Sequence, residues 1–256
     1  MTFGEYNSLL SLIMDIAKLM LVSGAEVYRV EDTVMRLVCA YGGTKPQVTA
    51  VPSNIIVTCE FEGTEHSSSR RINNSETDME LLDRLNNLSR EMCASTPDLA
   101  KAREMFDAAV NKKEYTPFQL CLAYAFTSAA FTLFFKGIWL DALASLLIGG
   151  LLYWVKRAIT AQGGGNKVFV VLLGGAFTAL MAAVCVRLGL GRDADKVIIG
   201  VVMLLVPGIE LLNGFRDFIS GDIQAGVMHI SEALFLGIVL ALGAAGVFTV
   251  AGKIGL

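Results

Sequence analysis

The sequence predicts a small cytoplasmic α+β domain, residues 1–115, followed by an α-helical transmembrane bundle of about five helices, residues 116–256. Charge distribution is the first reason. Residues 1–117 hold 29 of the Asp, Glu, Lys and Arg side chains and residues 118–256 only 16, gathered in short clusters between apolar runs. A charge is costly in hydrocarbon, so the asymmetry separates a water-solvated part from a lipid-solvated part. The second reason is periodicity, which passes from helical spacing to a β-branched block and then to uncharged runs of membrane-spanning length.

The elements follow in order. Leu9, Leu12, Ile16 and Leu19 recur at helical spacing. Asp15 and Lys18 interrupt the run from Leu9 to Val22, and no basic stretch precedes it, which argues for an amphipathic helix and against a signal peptide. Ser23-Gly24-Ala25-Glu26 has capping-box spacing ahead of a helix over 25–41, whose stripe is Val27, Val30, Val34, Leu37 and Val38. Gly42-Gly43 supplies its left-handed stop. Residues Gln47 to Phe61 read as strand, turn and strand, the turn being Pro52-Ser53-Asn54, and Arg70 to Ile72 add a short third strand. Ser75 precedes one more helix and Thr96-Pro97-Asp98 the next, with Thr96 as the expected cap.

Thr116-Pro117 opens the bundle, and the uncharged residues 118–135 nearly cross a hydrocarbon core of about 30 Å. Further segments are expected at 139–155, 168–186, 197–212 and 227–251. Gly174-Gly175 would admit a close neighbour, and Gly237, Gly243 and Gly246 mark another packing face. The short connections 156–167 and 212–226 then fall on the side of the N-terminal domain, a placement that the Lys and Arg distribution mildly favours.

Composition removes several functions. A net charge of -3 without a basic face argues against nucleic-acid binding. There is no Walker motif, no phosphate-binding glycine loop and no metal-ligand spacing, so neither ATP hydrolysis, a metal nor another cofactor is expected. Cys39, Cys59, Cys93, Cys121 and Cys185 form an odd set without C-x-x-C spacing, consistent with free thiols in a reducing compartment.

The candidate residues concentrate late in the chain. Pro207-Gly208 breaks an apolar run and would free backbone groups at membrane depth, as transporters use to hold a solute or ion. Glu210, Asn213 and Asp217 then lie on one helix face, and His229 and Glu232 are three apart on the next helix, which together make a polar seam able to bind and release protons. The plain alternative leaves Asp217 and Asp222 in a solvated loop, with Asp222 or Ser220 capping the last helix. Asp141, two residues inside its segment, reads more readily as interfacial than as a pathway residue. In the first domain, Ser23, Gly24 and Glu26 read as a cap, and Ser53-Asn54 as a turn or a loop meeting the membrane mouth. Cys39, Cys59 and His66 invite a thiol-hydrolase reading, against which Cys39 is expected on the apolar side of its helix.

Three stretches, LMLVSGAEVYRVEDTVMRL, AVPSNIIVT and VMLLVPGIELLNGFRDFISGDIQAGVMHISEAL, together with the domain order, resemble the threonine/serine exporter family in its N-terminal half. The resemblance implies a multi-pass exporter of small organic solutes in the plasma (bacterial inner) membrane, driven by an ion gradient, with a cytoplasmic N-terminal domain. It also implies that a small membrane protein supplies the second half, as in split members that export succinate, within a hetero- or homo-oligomer. Ser23, Gly24, Ala25, Glu26, Pro207, Gly208, Asn213 and Asp217 match the family pattern by position. A membrane-anchored hydrolase and a regulatory or structural subunit stay open as alternatives.

Overall fold

The computed structural model describes residues 3–73, 76–111, 115–161 and 166–254. They fall into two compact units, Met1–Lys113 with Gly208–Glu232, and Glu114–Pro207 with Ala233–Leu256.

The first unit holds α1 (Phe3–Val22), α2 (Val27–Ala40), strands β1 (Thr44–Val51), β2 (Asn54–Phe61) and β3 (Thr64–Arg71), α3 (Met79–Ser95), α4 (Leu99–Val110) and α9 (Gly208–Ser220). The sheet is an antiparallel meander, β1-β2-β3. Its middle strand alternates, burying Ile55, Val57, Cys59 and Phe61 on one face, so helices need cover only that side. The core is built on α1, whose Leu9, Leu12, Ile13 and Ile16 are fully buried. Asp15, which interrupts that apolar run, accepts from Arg70 Nε (3.0 Å) and so ties α1 to β3, while Arg70 Nη2 also donates to Ser11 Oγ (2.7 Å).

Several local expectations are corrected. The third strand is eight residues long and begins immediately after Gly63, because its polar string TEHSSSRR is held by pairing with β2 and by His66 and Arg70. The hairpin turn is Pro52-Ser53, and Asn54 already pairs with Arg71 in the sheet. Ser23 and Glu26 form no capping box: α2 starts at Val27, Glu26 makes no side-chain cap bond, and the buried Ser23 hydroxyl has no hydrogen-bond partner among the described residues. Asp78 caps α3 by accepting from the Leu81 N–H (2.8 Å), whereas Ser75 lies outside the described residues, as do Lys112 and Lys113. Asp98, not Thr96, caps α4. Thr96 closes α3 in the left-handed region. Gly42 (φ 83°) supplies the expected stop after α2.

The second unit contains α5 (Pro117–Phe134), α6 (Trp139–Ala161), α7 (Lys167–Arg187), α8 (Ala194–Val202) and the later part of α10 (Ile223–Ile254). Among the described residues, four helical stretches are long and apolar enough to cross a membrane: Pro117–Phe134, Trp139–Ala161, Lys167–Arg187 and Ile223–Val247. Their outward side chains include Phe118, Phe126, Leu147, Phe169 and Leu242, an apolar surface far larger than a water-soluble domain presents.

The expected span over 197–212 is instead two pieces, with α8 ending at Val202 and α9 starting at Gly208. At about 1.5 Å per residue, α8 is far too short to cross. The N–H groups of residues 203 to 206 turn back onto carbonyls of Ile199, Val201 and Val202.

Small and hydroxylated residues hold this unit together. Ser128 Oγ donates to the Ser145 carbonyl (2.7 Å) and Thr132 Oγ1 bonds Ser145 Oγ (2.6 Å), all buried between α5 and α6. A Cβ on Gly200 would strike the α5 backbone at Thr132 N (2.8 Å) and Ser128 O (2.9 Å), so α8 lies directly on α5. Gly175 meets the Leu240 carbonyl, as its pairing with Gly174 suggested. Of the three glycines in the last helix, Gly243 lies against the Leu172 carbonyl, whereas Gly237 and Gly246 face nothing within 4 Å.

Candidate functional site

The first unit assembles its polar site from α2, the loop before it, α9 and the start of α10. Gly24 adopts φ 96°, a left-handed conformation that side chains resist, and a Cβ there would meet Thr77 at 3.6 Å. Asp78 N–H donates to the Ser23 carbonyl (3.2 Å) and fixes this loop from the α3 side. The Gly24 carbonyl is thereby presented to α9, where Asn213 Nδ2 donates to it (2.9 Å). One turn on, Arg216 donates to the buried Glu26 carboxylate, which also pairs with Arg29 (3.2 Å).

Asp217 follows Arg216 and is fully buried. Its Oδ2 hydrogen-bonds His229 Nδ1 (2.9 Å), while its Oδ1 has no hydrogen-bond partner among the described residues. The His229 side chain is 12% exposed, and both His229 and Glu232 lie inside the membrane-length stretch Ile223–Val247. The chain thus reverses between α9 and α10 in a hairpin whose interior carries a carboxylate and an imidazole in contact. Two glycines permit the close approach: a Cβ on Gly214 would lie 2.6 Å from Ile230 Cγ1, and one on Gly226 would lie 2.8 Å from the Phe218 ring.

The other expected site residues separate. Asp222 caps α10 through the Ala225 N–H (3.1 Å), in agreement with the plain alternative, but Asp217 is in a helix and not in a solvated loop. Glu210 and Glu232 are half-buried on α9 and α10. Ser53 sits in the exposed hairpin turn, where its carbonyl accepts from the Ile72 N–H (2.9 Å), and Pro207 directly precedes α9, which Gly208 opens. Asp141 belongs to the second unit, where its buried carboxylate accepts from the N–H groups of Arg192 (2.6 Å), Asp193 (3.0 Å) and Ile138 (3.2 Å).

Glu31 is an addition that the sequence reading missed. It accepts from the Ala50 N–H (2.7 Å). Burial raises its carboxyl against that hydrogen bond, and the charges of Asp222 and Asp217 push it further in the same direction. Glu26 behaves oppositely: burial would raise it, but its backbone N–H, Arg29 and Arg216 outweigh burial and hold it below the ordinary carboxylate range. Linkage sets opposite signs for the two. The Glu31 contribution to stability is present below the ordinary carboxylate range and lost as pH rises through its raised value. That of Glu26 is present above the ordinary range and lost as pH falls through its lowered value. Thermal unfolding of the detergent-solubilised chain between about pH 4 and pH 8 should therefore show Glu31→Gln flattening the loss on the neutral side and Glu26→Gln flattening it on the acid side. Parallel profiles for the two variants would refute this assignment.

The thiol-hydrolase constellation is inert. Cys59 and His66 do face each other across β2 and β3, but burial first, and Cys39 second, push the Cys59 thiol up to about 11. Such a thiol is not a nucleophile at neutral pH. His66 is buried among Phe3, Tyr6 and Phe61 with Nδ1 bonded to Asn7 (2.8 Å), and Cys39 is exposed, contrary to the apolar position expected for it. Among the described residues no group of His, Cys, Asp and Glu could hold a metal.

Four membrane-length helices carrying outward apolar side chains, with an acid and a histidine paired on the last hairpin, define a multi-pass α-helical membrane protein. A family model described as "Putative threonine/serine exporter" matches residues 11–251, and the chain belongs to that family. It is 24% identical over 233 residues to a "Probable threonine/serine exporter" of Mycobacterium tuberculosis. The match covers 90% of this chain and 44% of the relative, so the chain spans about half the length of the curated relative it matches. No solved structure matches.

Proposed function

We propose that this chain forms one half of a proton-coupled secondary exporter of small organic solutes, serine, threonine or a dicarboxylate such as succinate, in a bacterial inner membrane. The second half would come from a small membrane protein, as the likeness to split members of the family implies. The N-terminal unit would be cytoplasmic. Further copies of the chain could pack on the open glycine positions Gly237 and Gly246.

The observation that carries this reading is the buried Asp217–His229 contact with one carboxylate oxygen left unsatisfied. Adding one proton to an imidazole beside a carboxylate turns the contact into an ion pair. Such a change of charge on a hairpin reaching a membrane-length helix supplies what coupling requires, two states that a proton can select between.

Proteoliposomes containing the chain and its second half, loaded with labelled serine, threonine or succinate, provide the test. The expected result is solute efflux that follows an imposed pH gradient and needs both halves. Efflux that ignores the pH gradient and follows sodium would overturn proton coupling. Absence of any flux would overturn the exporter reading in favour of a regulatory role.

A further inference from the structure

We propose that the end of the second unit where α5 passes to α6 and α7 to α8 is a solute-binding vestibule for a small zwitterion, an amino acid bound through its carboxylate and ammonium groups. A concavity of about 430 Å³ opens there, within the size range of small-molecule sites. Its walls carry three cations, Lys136, Arg192 and Lys196, and three acids, Asp141, Asp193 and Asp195.

Formal charges balance, but availability does not. Both Asp141 oxygens are taken up by backbone N–H groups, Oδ1 by those of Arg192 and Asp193 in the α7–α8 connection and Oδ2 by that of Ile138 just before α6. Asp193 Oδ1 accepts from the N–H groups of Asp195 (3.1 Å) and Lys196 (3.4 Å) as the cap of α8. Among the described residues, no carboxylate lies within ion-pair distance of Lys136, Arg192 or Lys196, and Asp195 has no ion-pair partner. The concavity therefore offers two cations, Lys136 and Lys196, and one carboxylate, Asp195, without an ion-pair partner, and a third cation, Arg192, that already lies within electrostatic reach of Asp141.

The frame around them is built closely. Lys136 is held in the left-handed region (φ 65°), where glycine is the usual occupant, and the adjacent Gly137 is packed on Thr132, whose carbonyl would lie 2.9 Å from a Cβ placed there, with Lys196 Cβ in contact range at 3.4 Å. A carboxylate can draw charge-assisted hydrogen bonds from the cations while an ammonium reaches Asp195. A simple dianion would satisfy the cations and be repelled by Asp195, so the lining favours a zwitterion.

The choice of amino acid as occupant rests on the transport reading above, but the site stands on its own residues. The test is calorimetric titration of serine, serinamide and succinate into the full chain in nanodiscs, in the Asp217→Asn background so that the two sites are separable. Serine is expected to bind, serinamide to bind at least tenfold more weakly, and the Lys136→Gln, Arg192→Gln, Lys196→Gln triple variant to lose at least tenfold for serine. Asp195→Asn should weaken serine while leaving succinate unchanged or tighter. Equal affinities for serine and serinamide, or an unaltered triple variant, would overturn the proposal. Serine binding that appears only when phosphatidylethanolamine is left out of the nanodisc would also overturn it, by identifying the concavity as a lipid headgroup site. Loss of flux in Asp217→Asn with serine binding retained separates this vestibule from the coupling pair.

Discussion

Asp217→Asn should reduce solute efflux by about 100-fold or more while leaving the protein as stable as the wild type, or more so. Asp217 is fully buried and its Oδ1 is unsatisfied, so its ionised form lacks the second acceptor bond that would compensate for desolvation. Asparagine keeps the volume and can still face His229 Nδ1, but it carries no charge and takes up no proton. Replacing a buried charge with a neutral group of its own shape is commonly neutral or stabilising, whereas removing only its partner leaves the charge exposed to the full penalty. His229→Ala should therefore behave differently, losing transport and destabilising by about 3 kcal/mol or more. Efflux together with unfolding midpoints for both variants distinguishes the coupling role from a structural one. If Asp217→Asn transports normally, or if both variants lose stability equally, the pair is a packing feature and not the seat of coupling.

How much of this was legible in the sequence depends on whether local pattern or tertiary docking decides each element. The α5 start could be read because Thr116 accepts from the Gln119 N–H while Gln119 bonds back to the Thr116 N–H, a device contained within four residues. The same logic failed at Ser23-Gly24-Ala25-Glu26, where spacing alone fits a capping box. There the left-handed Gly24 turns the chain, and Arg216, far away in sequence, claims the carboxylate. Residues 197–212 are apolar apart from Glu210, so hydropathy registers a span, yet the tight turns from 203 to 206 consume the donors that a continuous helix would have used. Pro207 marks the start of α9 and not a kink within one helix.

The acid-and-histidine seam was half visible. Helical spacing placed Asn213 and Asp217 on one face, but nothing local brings Glu31 into range of Asp217 and Asp222, because that proximity exists only once α9 packs on α2. The buried hydroxyl network did have a readable signal: Ser128 and Thr132 are four apart in an uncharged helix, the spacing that lines one face.

Gly214→Val should break coupling by geometry alone, without touching a titratable group. Its Cβ would sit 2.6 Å from Ile230 Cγ1, 3.2 Å from His229 Cβ and 3.2 Å from the Gly226 carbonyl, so α10 must move outward by several tenths of an ångström or more. The first of these neighbours is a γ carbon of a β-branched side chain, stiff at χ1 in a helix, and the carbonyl is backbone, so neither rotates aside freely. Gly226→Val meets the same obstacle from the other side, against the Phe218 ring and the Gly214 carbonyl at 3.0 Å. The Asp217–His229 contact is already 2.9 Å, near the usual optimum, and weakens steeply beyond about 3.2 Å. Overpacking of this kind costs about 1–3 kcal/mol, and the expected transport loss is about tenfold to 100-fold. The sequence holds only 2 histidines, and His66 is 3% exposed, so histidine-selective acylation reports on the hairpin with its own internal reference. Labelling of His229 should accelerate in Gly214→Val while that of His66 stays slow. Gly237→Val, with nothing within 4 Å of its added carbon, should leave the His229 rate unchanged. Should Gly214→Val lose transport with no change in His229 labelling, separation of α9 from α10 is not how the hairpin controls the pair.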